Sequence, residues 1–221
     1  MAETDNISKV LIITGGQIDE VWLKTRISSQ DYSKIIAADH GLLACDRLGL
    51  SPDYIVGDFD SVPEEILNKY RKTSIPIKTF PREKDKTDTQ IAIELALSYN
   101  AVSIELIGAM GSRFDHTLAN VHLLLAPLQI GVEACILNMN NKIYLKKDEF
   151  IIQREEQYGD FVSLLPFTER VEGLTLRGFK YPLDSIIMEA GNSLGISNVI
   201  IADVAQVEFN KGILLVVESR D

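Results

Sequence analysis

The stretch Tyr54-Ile55-Val56-Gly57-Asp58-Phe59-Asp60-Ser61 decides how the rest of the chain is read. Its apolar residues form a buried strand, and glycine stops it. Two carboxylates and a hydroxyl then follow within four positions. If the backbone stays extended, alternation turns Asp58 and Asp60 to the same side. Two anions about 6 Å apart repel by roughly 3 kcal/mol at an effective dielectric near 20. A cation relieves that repulsion, and oxygen-only ligands suit Mg²⁺ better than zinc or copper. A purely local reading makes Ser61 a helix N-cap with Glu64 closing a capping box. That explains Ser61 but not the two aspartates.

Working outward, the same pattern repeats. Lys9 to Ile13 is a buried strand stopped by Thr14-Gly15-Gly16, and a helix over Asp19 to Ile27 follows, with Trp22 and Leu23 on its packed face. Lys34 to Ala38 is a strand ending in Asp39-His40-Gly41, then a helix runs to Leu48 and closes at Gly49. A helix over Pro63 to Lys72 leads to the strand Ile75 to Phe80, whose proline suggests a sheet edge or a strand start. The charged loop 82–88 precedes a helix over Thr89 to Tyr99, with Ile91, Ala92, Leu95 and Ala96 on its apolar side. Val102 to Ile107 is a further strand, and Thr117 to Leu128 a further helix.

Strands alternating with helices imply parallel strands joined by crossovers. In such a sheet the carboxyl ends of the strands share one edge, where ligands bind. The charged residues fall at those ends: Asp39, then Asp58 and Asp60, then Lys84, Asp85 and Asp88, then Arg113 and Asp115. Several have ordinary uses. Asp39 could cap a helix, His40 reads as a solvated loop histidine, and His122 as a packed one. Thr87 with Gln90 fits a capping box. Gly108 and Gly111 could serve backbone geometry alone, although glycines ahead of a helix also bare amides to an anion.

Beyond Gly131 the rhythm changes to short β-type runs: Val132 to Asn138, Lys142 to Lys147, Phe150 to Arg154, Phe161 to Pro166, Gly173 to Arg177, Ile186 to Glu189, Val199 to Asp203 and Gly212 to Val217. Their spacing is that of an all-β sandwich or barrel. Arg154 to Asp160 and Asn210-Lys211-Gly212 read as hairpin turns, and the polar loop Gly191 to Asn198 offers neutral hydrogen-bonding groups that suit a heteroaromatic ligand. The division expected is an α/β domain over 1–133 followed by an all-β domain over 134–221, with the boundary near Gln129 to Asn140 because a strand there could still belong to the first sheet.

The 221 residues are 46% hydrophobic, enough for real cores, and the net charge of −10 argues against nucleic acid or an anionic membrane as partner. Three histidines and two distant cysteines make no zinc cluster, and Cys45 and Cys135 read as reduced core residues, which points to the cytoplasm. The N-terminus reads as no signal peptide.

Taken together, Ala38-Asp39-His40-Gly41, Gly57 to Ser61, Lys84-Asp85-Lys86-Thr87-Asp88-Thr89, Arg113 to Asn120 and the Ser193 to Asn198 loop resemble the bacterial type of thiamine pyrophosphokinase (thiamine diphosphokinase), in that family's order and over nearly the whole chain. The resemblance implies an N-terminal α/β domain, Rossmann-like with a parallel sheet and flanking helices, then a β-sandwich domain, paired as a homodimer. It also implies Mg-dependent transfer of the pyrophosphoryl group of ATP to the hydroxyl of thiamine, giving thiamine diphosphate and AMP. By position, Asp58, Asp60 and Asp88 resemble the family's metal- and phosphate-handling carboxylates. Asp39, Lys84, Asp85, Thr87, Asp88, Gly108 and Arg113 resemble its ATP site. Asp58, Asp115, Ser193, Ser197 and Asn198 resemble its thiamine site, the last three where one subunit's sandwich meets the other's α/β domain. His40, Gln90 and Val199 depart from the family pattern, which often has glycine, glutamate and an acidic residue there.

That chemistry fits the residues. Polyphosphate needs charge neutralisation and alignment, which Mg²⁺ with Arg113 and Lys84 would supply, and Asp60 or Asp115 could accept the alcohol proton. No Gly-x4-Gly-Lys-Ser/Thr pattern is present, so P-loop chemistry is not expected. Two other readings are another heterocyclic alcohol as acceptor, and a non-catalytic nucleotide- or thiamine-binding module.

Overall fold

The computed structural model describes residues 9–81 and 85–221. The chain forms two compact units, dividing between Met139 and Asn140. The division falls inside the expected boundary stretch Gln129 to Asn140, six residues beyond 133/134, because the strand Glu133–Leu137 pairs within the first unit.

In the first unit, β1 (Lys9–Ile13), β2 (Lys34–Ala38), β3 (Tyr54–Gly57), β4 (Ile77–Thr79), β5 (Ser103–Ile107) and β6 (Glu133–Leu137) are joined through helices. These are α1 (Glu20–Ser29), α2 (Gly41–Leu48), α3 (Glu64–Arg71), α4 (Asp88–Ser98), α5 (Phe114–Leu123) and α6 (Leu125–Gln129). All the strand pairs are parallel, in the order β4-β3-β2-β1-β5-β6. The central strands read as unbroken apolar runs because helices cover both faces; Leu11, Ile12, Ile36, Ile55 and Leu106 are fully buried. β4, with its proline, is the edge strand. Strand order reverses between β1 and β5, which opens a crevice outside their carboxyl ends.

The helix signals work largely as read. Asp19 caps α1 by accepting from Trp22 N at 2.8 Å, and Gly49 ends α2 in the left-handed conformation. Leu23 is buried, whereas Trp22 is only half-buried. On α4 the buried positions are Thr89, Ala92, Ile93 and Ala96, so the packed face is turned slightly from the expected one and Ile91 and Leu95 are half-buried. Ser61 does not cap α3: the N-cap is Pro63, with no side-chain cap bond.

One carboxylate sits deep in this unit. Glu105 on β5 is 6% exposed. Its Oε1 is 2.7 Å from Lys9 Nζ and 2.6 Å from Arg26 Nη2, and its Oε2 accepts from Arg26 Nε at 3.2 Å and from the Tyr32 hydroxyl. Burial alone would raise its pKa, but these donors outweigh burial and hold it below the usual carboxylate value.

The second unit contains β7 (Asn141–Lys146), β8 (Phe150–Gln153), β9 (Phe161–Pro166), β10 (Arg170–Arg177), β11 (Leu183–Glu189), β12 (Val204–Glu208) and β13 (Leu214–Ser219). β7, β13 and β9 pair antiparallel, and a four-stranded antiparallel sheet runs β11-β10-β12-β8. Two expected hairpins are absent. Segment 154–160, partly a 3₁₀ turn, joins β8 to β9, and 210–212 lies between β12 and β13; each pair belongs to different sheets. The expected strand Val199 to Asp203 is not one, although Ile200 makes an isolated bridge to Phe179; the strand lies just after it, at Val204–Glu208.

Candidate active site

The ends of β1 and β5 interlock to make the floor of the crevice. Thr14 N donates to Ile107 O at 2.9 Å, Gly16 N to Gly108 O at 2.7 Å and Gln17 N to Met110 O at 2.7 Å. The fit leaves no room for side chains: a methyl group on Gly16 would lie 2.3 Å from Gly108 O, and Gly108 itself has φ +75°. Two buried ties brace this floor, Thr14 Oγ1 to Thr89 Oγ1 at 3.2 Å and Asn120 Nδ2 to Ala109 O at 2.7 Å. Above it lies a cavity of about 760 Å³, walled by Asp39, Asp58, Asp88 and Arg113 among others.

The acidic wall comes from the ends of β2 and β3. Asp39 has φ +46° and its N–H donates to Val56 O at 2.8 Å. β3 stops at Gly57, so the following aspartates are not on an extended backbone as the alternation argument supposed. The buried Phe59 instead adopts φ +60° and turns the chain, and Asp60 N donates back to Asp58 Oδ1 at 3.2 Å. The result is that Asp39, Asp58 and Asp60 each bring a carboxylate oxygen within 4.8 Å of the other two.

Asp39 is the most constrained of the three. Its Oδ2 accepts from Ser61 Oγ at 3.2 Å, while Oδ1 is buried with no hydrogen-bond partner among the described residues. Burial raises its pKa, and the negative charges of Asp88 and Asp58 add to the rise, against hydrogen bonds from the His40 backbone and Ser61. A buried carboxylate oxygen lacking a donor, next to two further carboxylates, is the environment a hard cation satisfies.

Among the described residues, Asp88 is not part of that close trio, although it was grouped with Asp58 and Asp60 from sequence. It stands in the first turn of α4, lines the same cavity and acts on Asp39 electrostatically. Asp60 is exposed at the rim. Thr87 caps α4, accepting from Gln90 N at 3.2 Å; the Gln90 amide bonds Glu94 at 3.0 Å, so the capping box is only half made. Asp85 and Lys86 line the cavity, with Lys86 Nζ 2.8 Å from Glu94. Lys84 lies outside the described residues. Arg113, at the start of α5, forms a two-point pair with Asp115, Nη2–Oδ2 2.5 Å and Nε–Oδ1 3.2 Å, and both side chains are exposed. That pairing lowers the Asp115 pKa and raises that of Arg113.

The remaining expected residues lie in the second unit. Ser193 and Ser197 are exposed, the latter at φ +56° with its N–H on Ser163 Oγ at 3.0 Å. Asn198 is buried and its amide is engaged within its own unit: Oδ1 accepts from Tyr181 N and Val199 N, and Nδ2 donates to Tyr181 O at 2.8 Å. Sequence reasoning missed His40, which lines the cavity with Nδ1 3.3 Å from Ser61 Oγ, and the Thr14-Gly15-Gly16 loop. Both follow strands at the same edge as Asp58, which was the available signal.

Comparison with known proteins identifies relatives of the chain as a whole. A family profile described as thiamin pyrophosphokinase, catalytic domain, matches residues 26–136, and one described as thiamin pyrophosphokinase, vitamin B1 binding domain, matches residues 149–214. The chain is similar to the thiamine pyrophosphokinase of Bacillus subtilis, 31% identical over 194 residues, 87% of this chain and 90% of that one. The crystal structure of thiamine pyrophosphokinase from Bacillus subtilis superposes with a TM-score of 0.86 at 29% identity, covering 97% of this chain and 100% of that one. That of the Geobacillus thermodenitrificans protein gives 0.84 at 30% identity, covering 96% and 98%. Among the described residues no helix is long and apolar enough to cross a membrane.

Proposed function

The chain belongs to the thiamine pyrophosphokinase family, and from that premise we propose that it moves the pyrophosphoryl group of ATP onto the hydroxyethyl oxygen of thiamine, with Asp39, Asp58 and Asp60 holding Mg²⁺. The alcohol oxygen attacks the β-phosphorus, the bond from that phosphorus to the bridging oxygen of the α-phosphate breaks, and AMP leaves. The proton of the alcohol passes to a carboxylate, Asp60 or Asp115. The metal, when bound, neutralises charge on the phosphates and aligns them.

The chain's own residues do the rest. The amides of the floor, around Gly108, and the first turn of α4, with Asp85, Thr87 and Asp88, take the nucleotide. Arg113, exposed at the cavity mouth, meets the transferred group, and Asp115 sets the guanidinium's direction through its two-point contact. Lys84, in the sequence segment 82–88, adds positive charge. Asp58, Asp115, Ser193 and Ser197 contribute to thiamine binding, while Asn198 acts by fixing the loop that carries the two serines. The working molecule is a cytoplasmic homodimer.

The observation that carries this reading is the meeting of three carboxylates from two strand ends beside the cavity, one of them with a buried oxygen that has no hydrogen-bond partner among the described residues. Its test is release of AMP, as against ADP, from ATP with thiamine and Mg²⁺. Transfer of a single phosphoryl group, or AMP formed only with another alcohol, overturns the reaction assignment.

A further inference from the structure

We propose that Ser61 is a positioning residue of the metal site, its hydroxyl fixing the Asp39 carboxylate so that Oδ1 is the oxygen left for the cation. The inference rests on the metal reading above. Ser61 precedes α3 but is not used as its cap, since Pro63 is the N-cap and makes no side-chain bond. The left-handed turn at Phe59 carries the hydroxyl back to the end of β2 instead, across 22 positions of sequence. There Oγ lies 3.2 Å from Asp39 Oδ2 and 3.3 Å from His40 Nδ1.

A hydroxyl has one proton to give, and an ionised carboxylate can only accept. Ser61 therefore donates to Asp39, and His40 donates to Ser61. The order is fixed: His40 Nδ1–H to Ser61 Oγ, and Ser61 Oγ–H to Asp39 Oδ2. This occupies Oδ2 and leaves the buried Oδ1 without a partner among the described residues. The Asp39 main chain is already pinned by its bond to Val56 O and its positive φ. What remains is rotation of the carboxylate, which Ser61 and the His40 backbone hydrogen bond hold in the unfavourable field of Asp58 and Asp88. The Ser61 bond opposes that rotation. Hydrogen-bonded supports of this kind commonly change metal affinity by about 10-fold or more when removed.

The test is Mn²⁺ binding to the nucleotide-free protein, followed by electron paramagnetic resonance of the free ion. S61A is expected to bind about 10-fold more weakly, and S61T, which keeps the hydroxyl, to bind as the unaltered protein does. Wild-type affinity in S61A, or an S61T as weak as S61A, overturns the inference. If S61A does not fold, S61C takes its place: it keeps the volume with a weak donor, and wild-type affinity there is equally fatal. D58N separates this inference from its premise. Loss of Mn²⁺ binding in D58N with none in S61A sinks the Ser61 role alone. Unchanged binding in D58N sinks the metal site, and the Ser61 role with it.

Discussion

Glu105 and Asp39 are both carboxylates drawn out of water in the first unit, and the chain treats them in opposite ways. Glu105 is met by Lys9, Arg26 and Tyr32, so each of its oxygens has a donor and its pKa is held low in spite of burial. Asp39 is met by a serine hydroxyl and by more carboxylates, and its pKa is raised. A carboxylate neutralised by the chain's own cations holds the fold together. One surrounded by its own sign is relieved either by taking up a proton or by charge supplied from outside. The difference singles out, without reference to any relative, the sheet edge at which we place the cation.

The contrast is easiest to break at its extremes. Asp58→Asn is expected to lower kcat/KM by about 10³, the upper end of what losing one preorganised electrostatic group costs, with the melting temperature nearly unchanged. Steady-state AMP release checks this, and near-normal turnover at saturating Mg²⁺ removes Asp58 from the metal site. Glu105→Gln should do the reverse, costing about 3 kcal/mol of stability because Lys9 and Arg26 lose their counter-charge, while turnover per folded molecule stays close to normal. Urea denaturation measures the first and an active-site-normalised rate the second. A third experiment sharpens the same division. Mg²⁺ at ten times its Kd should stabilise the protein by about 1.4 kcal/mol. Thermal melts should show that gain kept in Glu105→Gln and lost in Asp39→Asn.

How much of this was legible in the sequence depends on the range of the interaction. The central strands were readable because both faces are buried and the apolar runs are continuous. That the charged loops share one edge followed from parallel topology. Which of them touch did not follow. Asp58 and Asp60 are close because Phe59 takes a left-handed conformation, and nothing about a phenylalanine announces that. Asp39 joins them, rather than Asp88, because β2 and β3 are neighbours, a fact of sheet order. Ser61 had a plausible local role as a cap, and the tertiary bond to Asp39 took precedence. In the second unit the apolar run Val199-Ile200-Ile201 outweighed the true alternation of Val204 to Glu208, where Ala205 and Val207 are buried and Gln206 is exposed. Turn residues announced the bends at 154–160 and 210–212, but turn chemistry does not say which sheet the next strand joins.

The smallest expected effect probes the same pair through pH, without metal. Glu105 has a folded-state pKa below its ordinary 4.5, so as pH falls the unfolded chain takes up its proton first. Its contribution is present above that value and is lost as pH falls through the depressed one. Asp39 has a folded-state pKa above its ordinary 3.8, so the folded chain takes up the proton first. Its contribution is complete below 3.8 and is lost as pH rises through the raised value. Relative to the unaltered protein, Glu105→Gln should therefore remove a slope in which stability grows with pH, and Asp39→Asn a slope in which stability declines with pH. Neither slope can exceed about 1.4 kcal/mol per pH unit, the limit for one proton. Urea unfolding in chelator at half-unit steps across the acid range gives both slopes. If they have the same sign, the two carboxylates are not handled differently, and the physical case for an external cation at Asp39 is lost.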